Sequence, residues 1–151
     1  MAIIMKKLLA VVLFVALLIG FAGVAIAAEE VEEWELAYAN EDCNYFFDKL
    51  SFGEDKELKT YKVWEMYEYS EAYSKELTEM YQYKTLLSYA LVRVEYDYTN
   101  KRSRIFSIIH YDKNGNKIDA FYDLGWTDIT PNTIDEELFN ATYAYYKKHY
   151  L

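Results

Sequence analysis

From Trp34 onward, large apolar and polar residues alternate in short runs broken by polar clusters, the pattern of half-buried strands. Trp34 to Tyr38 and Cys43 to Phe47 lie on either side of Asn40-Glu41-Asp42 and predict a first hairpin. Ser51 to Glu57, with Gly53 inside it, reads as a loop. Leu58 to Tyr69 predicts a long strand, with Tyr61, Val63, Tyr67 and Tyr69 on one face and Trp64 and Met66 on the other. Large residues on both faces imply that both are at least partly covered. Residues 70–84 stay open: the spacing of Ala72, Leu77 and Met80 suits a short helix, and the charge density suits a polar loop equally well.

Two further hairpins follow. Leu86 to Tyr98 and Ser103 to Tyr111 flank the turn Thr99-Asn100-Lys101-Arg102. With Tyr98 facing Ser103, Tyr96 meets Ile105 and Val92 meets Ile109. Asp97 then stands opposite Arg104, a cross-strand ion pair worth about 0.2–1 kcal/mol. Asn114-Gly115 is a strong hairpin signal, because both positions tolerate positive φ. With Lys113 facing Asn116, Tyr111 meets Ile118 and Ile109 meets Ala120, so the two registers extend one apolar face through three strands.

The chain closes in a helix. Thr133 and Glu136 form a capping box, Asp135 and Glu137 suit the positive end of the helix dipole, and Lys147, Lys148 and His149 suit the other. Ile134, Leu138, Ala141 and Tyr145 make the stripe that meets the sheet, and Pro131 keeps Trp126 to Thr130 out of the helix. The fold class is α+β: an antiparallel β-sheet of about six strands with a C-terminal α-helix packed on one face.

The first residues obey a different rule. Lys6 and Lys7 precede an unbroken apolar run from Leu8 to Ile19, Gly20 and Gly23 loosen it, and Ala25-Ile26-Ala27 offers small residues to a signal peptidase. Residues 1–27 are therefore expected to be a signal peptide, with a cut after Ala28 as second choice, and residues 28–151 the exported domain. The alternative is an uncleaved anchor, since the apolar stretch reaches Ala28 and a span needs about 20 residues. That anchor would be the only membrane contact expected. Export places the domain in the periplasm, on the cell surface or outside the cell. Loss of Lys6 and Lys7 takes the formal net charge from −9 to −11, which argues against nucleic acid and anionic lipid as partners. Solubility alone also explains the acidity.

Chemistry is scarce. The exported part carries two histidines (His110 and His149), Cys43, and only Gly53, Gly115 and Gly125. It has no nucleophile elbow, no phosphate-cradling loop and no Cys/His pattern with metal spacing. No catalytic, metal or cofactor residues are expected, and the domain reads as non-enzymatic. Glu95 and Asp97, two apart on a strand beside Arg104, read as a solvated face rather than an acid–base pair. Asp112-Lys113-Asn114-Gly115-Asn116 has its glycine too early for a calcium loop and lacks a closing Glu, so turn chemistry explains it better. Cys43 is either a small buried residue or a bridge between two chains, and its aromatic neighbours favour burial.

The remaining excess is tyrosine, 17 in all. Strand propensity and core filling account for most of them. An exposed tyrosine face could still anchor a protein or glycan, and Tyr61, Tyr67 and Tyr69 on one strand face are the first candidates. Such a face could also pair two copies into a homodimer.

Val94-Glu95-Tyr96-Asp97-Tyr98, then Arg102 and Arg104, then Tyr111-Asp112 and Gly115, resemble the middle of the bacterial surface-adhesin protein E family. Trp126, Ile129, Pro131, Thr133 and Leu138 resemble its closing Trp-x-x-Ile-x-Pro-x-Ser/Thr segment, while Trp34 and Tyr45 to Asp48 match its opening more weakly. The resemblance makes residues 28–151 a surface-adhesin E-like domain. It implies an antiparallel sheet with the C-terminal helix on its concave face, and attachment to host matrix or serum proteins. The family ties a strand to the helix with a disulfide whose cysteines align with Tyr98 and Tyr143 here, so these two tyrosines are expected to pack together. The matching motifs are turns and core positions, and no family binding residue carries over. The expectation is an exported binding protein with a host protein as partner. The alternative is an envelope housekeeping module that binds a protein or lipid of its own cell.

Overall fold

Residues 33–151 are described by a computed structural model, and the expected leader, residues 1–27, lies outside them. The strands are β1 (Trp34–Ala39), β2 (Cys43–Asp48), β3 (Gly53–Asp55), β4 (Thr60–Tyr69), β5 (Leu87–Asp97), β6 (Arg102–Asp112), β7 (Lys117–Tyr122) and β8 (Trp126–Asp128). Two helices, α1 (Glu71–Met80) and α2 (Ile134–Tyr150), complete the described elements. The sheet runs β1-β2-β4-β5-β6-β7 with β3 beside β4 and β8 beside β6. Every pairing is antiparallel, as expected for this fold class.

Local chemistry explains where the elements differ from expectation. The loop expected at 51–57 contains the short β3, and Lys59 (φ 56°) turns the chain so that β4 starts at Thr60 rather than Leu58. Residues 70–84 resolve into a helix because Ser70 caps it, its side chain accepting from the Tyr73 N–H, with Glu71 in the first turn. At the β5–β6 connection the four turn residues are Tyr98 to Lys101, one earlier than expected, with Lys101 at φ 51°. Tyr96 therefore faces Ser103 and Asp97 faces Arg102.

The expected Asp97–Arg104 pair does not form. Asp97 bonds Arg102 at 3.1 Å, and Arg104 grips Asp123 with two bonds of 3.0 Å. A register shift between Arg93 and Val94 then sets Val92 against Ile108 rather than Ile109. In the next hairpin Ile109 does meet Ala120, but a second shift places Tyr111 opposite Lys117 instead of Ile118. Of Asn114 and Gly115, only Gly115 takes positive φ (81°). Asp112 holds that turn by accepting from the N–H groups of Asn114 and Asn116.

Nor are Glu95 and Asp97 solvated. Both are buried: Glu95 accepts from the Thr60 hydroxyl at 2.8 Å, and Asp97 caps its turn by accepting from Thr99, Asn100 and Arg102. Burial alone would raise the Asp97 pKa, but the bonds from Asn100, Arg102 and Thr99 outweigh it and hold the carboxyl below its usual value. Asp97→Ala should cost about 2 kcal/mol of stability near neutral pH, read as a lower denaturant midpoint, because several charge-assisted bonds vanish together. That loss should shrink as acid protonates the carboxyl through its depressed pKa.

Helix α2 begins as predicted. Thr133 Oγ1 accepts from the Glu136 N–H at 3.4 Å, and the Glu136 carboxylate accepts from the Asn132 N–H, one residue before the cap. The expected stripe does meet the sheet, with Leu138 buried and Ile134, Ala141 and Tyr145 packed partly buried against the core, while Phe139, Thr142 and Tyr146 widen the buried side beyond it. The larger rings take the centre. Phe139 packs on Tyr96 at 5.7 Å, and Tyr146 stacks on Tyr61 at 4.7 Å between centroids.

Candidate functional site

The tyrosine face expected to bind a partner is the inner face of the sheet. Tyr61 is 0 % exposed, stacked on Tyr146 and bonded through its hydroxyl to Thr142 at 2.8 Å. It has no surface to offer, which removes it as a binding anchor. The rule that misplaced it is sound: Tyr61, Val63, Tyr67 and Tyr69 do share a face, but both helices pack on that face. Tyr98 and Tyr143, expected to lie together, stack with centroids 5.4 Å apart and planes 15° apart. Trp126 stands on β8 beneath the Arg102 guanidinium (5.3 Å), and Pro131 lies in the exposed turn before the α2 cap. Cys43 is buried and its thiol is pushed up to about 12, mainly by that burial, which leaves it unreactive at neutral pH.

Tyr67 and Tyr69 are half-buried and reach a pocket of about 320 Å³ at the other end of the inner face. Tyr45 joins them from β2. Helix α1 contributes Tyr73, Leu77 and Met80, with Tyr81 just beyond its end, and α2 contributes Ile134, Asp135 and Leu138. Behind Tyr67 lies Glu65, fully buried, accepting from the hydroxyls of Tyr96 (2.6 Å) and Tyr67 (2.8 Å). Burial raises its pKa to about 7, against the pull of those two hydrogen bonds. The sequence signal for Glu65 is its parity, which it shares with Val63 and Tyr67 on β4. A larger groove of about 580 Å³ runs between β1 and α2, but Glu35, Lys49, Lys148 and His149 give it mixed polarity and no single chemistry.

The opposite face carries a different composition, and no described helix makes its aromatic contacts there. Register sets Lys62, Glu95, Arg104 and Trp126 in one cross-strand row, and Trp64 beside Arg93 in the next. Cations lie over rings throughout: Arg93 over Trp64 at 5.5 Å, and Lys62 and Arg104 over Phe106 at 4.8 and 4.7 Å. Arg102 and Arg104 are paired with Asp97 and Asp123, whereas no carboxylate lies within ion-pair distance of Lys62 or Arg93 among the described residues. Arg93 instead donates to the Ser51 carbonyl at 3.2 Å. In a chain of net charge −9, this is a concentrated basic and aromatic surface.

Among the described residues no cluster of His, Cys, Asp and Glu could hold a metal ion. None of their helices is long and apolar enough to cross a membrane. The described residues form one α+β domain, with helices on one face of an antiparallel sheet and an aromatic–cationic surface on the other. The family model for surface-adhesin protein E matches residues 34–142, well over half of the sequence, and the chain belongs to that family. Membership gives it an adhesin-like role and an exported or surface setting. No curated protein and no solved structure matches it.

Proposed function

We propose that the protein is an exported, non-enzymatic adhesin that attaches to a host matrix or serum protein through the open face of its sheet. The observation that carries this reading is the patch of Trp64, Arg93, Lys62, Phe106, Arg104 and Trp126 across β4, β5, β6 and β8, with Glu95 buried between Lys62 and Arg104. Aromatic residues and arginine dominate the energetics of protein interfaces, because each combines large contact area with directional polar bonding. The cations favour an acidic segment on the partner, and neither Lys62 nor Arg93 is in an ion pair among the described residues, although Asp48 acts on Arg93 from farther off.

The purified protein should bind at least one immobilised matrix or serum protein saturably, with binding that weakens as salt rises. Trp64→Ala combined with Arg93→Ala should weaken it by about 2 kcal/mol or more, roughly thirtyfold. Capture of an envelope component of the same cell, with silence on the whole host panel, would instead support the housekeeping reading.

A further inference from the structure

The tyrosine pocket has a chemistry of its own, independent of attachment through the open face. Tyr45 and Tyr67 meet edge to face (centroids 4.9 Å apart, planes at 66°), as do Tyr69 and Tyr73 (5.8 Å, 73°). Aromatic rings thus stand at steep angles to one another around a space of about 320 Å³. The carboxylates acting on Tyr45, Tyr67 and Tyr73 are Asp42, Glu65, Glu76 and Asp135. Asp135 itself lines the pocket and is exposed. Leu77, Ile134 and Leu138 supply the apolar remainder.

Each class of ligand meets this lining differently. An anion would face carboxylates at the rim and buried in the wall. A primary ammonium would have to give up water for a site whose buried carboxylate is taken, since both Glu65 oxygens already hold phenol hydroxyls, and would find its charged acceptor only in Asp135 at the exposed rim. A neutral apolar molecule would suit the side chains and gain nothing from the acids. A methylated ammonium needs no hydrogen-bond acceptors, buries its methyl groups against apolar side chains, and spreads its charge over ring faces and the nearby carboxylate.

The geometry points to this pocket as a binding site for a small organic cation with a methylated ammonium head, of the kind choline carries. Tyr67, Tyr69, Tyr45 and Tyr73 form its aromatic wall, and Asp135 supplies the counter-charge.

The test uses choline chloride with the full chain and follows the choline methyl protons by nuclear magnetic resonance. Ring currents from the tyrosines should move that signal upfield in proportion to occupancy. 3,3-Dimethylbutan-1-ol, the neutral carbon analogue, should bind far more weakly. Tyr73→Leu changes a half-buried residue of α1 at the pocket wall and keeps the side chain apolar, and it should weaken choline binding roughly 5- to 30-fold. Asp135→Asn should weaken it in the same direction, and circular dichroism would establish that both variants are folded. Vesicles of phosphatidylcholine separate the sources: binding to them as well as to free choline assigns the head group of a lipid, and binding to choline alone assigns a free solute. No upfield shift with choline would overturn the proposal. Equal binding of the neutral analogue, or unchanged affinity in a folded Tyr73→Leu protein, would also overturn it.

Discussion

Tyr61→Ala is expected to lower the free energy of unfolding by about 3–5 kcal/mol, the range for removing a large aromatic side chain from a closed core. Tyr61 has no exposed surface and sits at the centre of the aromatic core. Its ring lies 4.7 Å from Tyr146, 5.3 Å from Tyr96 and 5.8 Å from Phe52 between centroids. With these three large rings around it, loss of the Tyr61 ring leaves a cavity that neither sheet nor helix can close without moving. Tyr61→Phe should cost only about 0.5–1.5 kcal/mol, because it deletes one hydrogen bond and keeps the ring. The Thr142 hydroxyl left behind still bonds the Leu138 carbonyl at 2.8 Å. Urea unfolding of the two variants checks both figures. A Tyr61→Ala protein as stable as the parent would contradict the burial of this face.

The second large effect is a dependence of stability on pH that originates at Glu65. Burial raises its carboxyl from 4.5 to about 7 in the folded protein, while the hydrogen bonds from Tyr96 and Tyr67 pull it down and Asp135 adds a push upward. The folded state therefore holds a proton that the unfolded chain has released. The resulting stabilisation is fully present below pH 4.5 and lost as pH rises through 7. A shift of this size corresponds to about 3 kcal/mol across that window. Glu65→Gln abolishes the titration. The unfolding free energy of the parent minus that of Glu65→Gln should fall as pH rises from 4.5 to 7 and stay level above it. His110, whose pKa is lowered by burial, works in the opposite sense over part of the window. It is present in both proteins and cancels in the difference. A difference that stays constant with pH would place the Glu65 carboxyl in solvent.

Much of this fold is legible in periodicity because a strand sorts its residues by parity and a helix by a turn of 3.6. Tyr61, Val63, Tyr67 and Tyr69 do share a face, Asn114-Gly115 does turn the chain, and Thr133 does cap the last helix. Registers are less legible, because the β1–β2, β5–β6 and β6–β7 ladders each carry an irregularity that a strict alternation misses. Lys101 takes a left-handed conformation, and Phe106 is the extra residue where the ladder shifts between Ile105 and Ser107. Moving the turn by one residue changes the pairing by two, which is enough to exchange Arg104 for Arg102 as the partner of Asp97. The face α2 buries is wider than the stripe alone, because Phe139 and Tyr146 have the bulk to fill the space over Tyr96 and Tyr61, and Ala141 only borders it.

The candidate surfaces were harder to find. Parity says which residues of β4 point the same way, and it does not say which way the helices fall. Tyr61 and Trp64 are equally plausible anchors until α1 and α2 are known to pack on the tyrosine side. Once they do, the tyrosines become core and pocket, and the residues left facing outward are Lys62, Trp64 and their neighbours Arg93 and Arg104. These residues lie far apart in the chain, and only the order β4-β5-β6 brings them into one patch.

The most direct test of the open-face reading compares variants on the two sides of the sheet, each established as folded, against one host protein that the parent binds. Trp64→Ala with Arg93→Ala should lose at least thirtyfold in affinity, on the scale of about 2 kcal/mol for an interface anchor. Tyr61→Phe, on the covered face, should bind as the parent does. Full binding by the first and loss of binding in the second would contradict attachment through the open face.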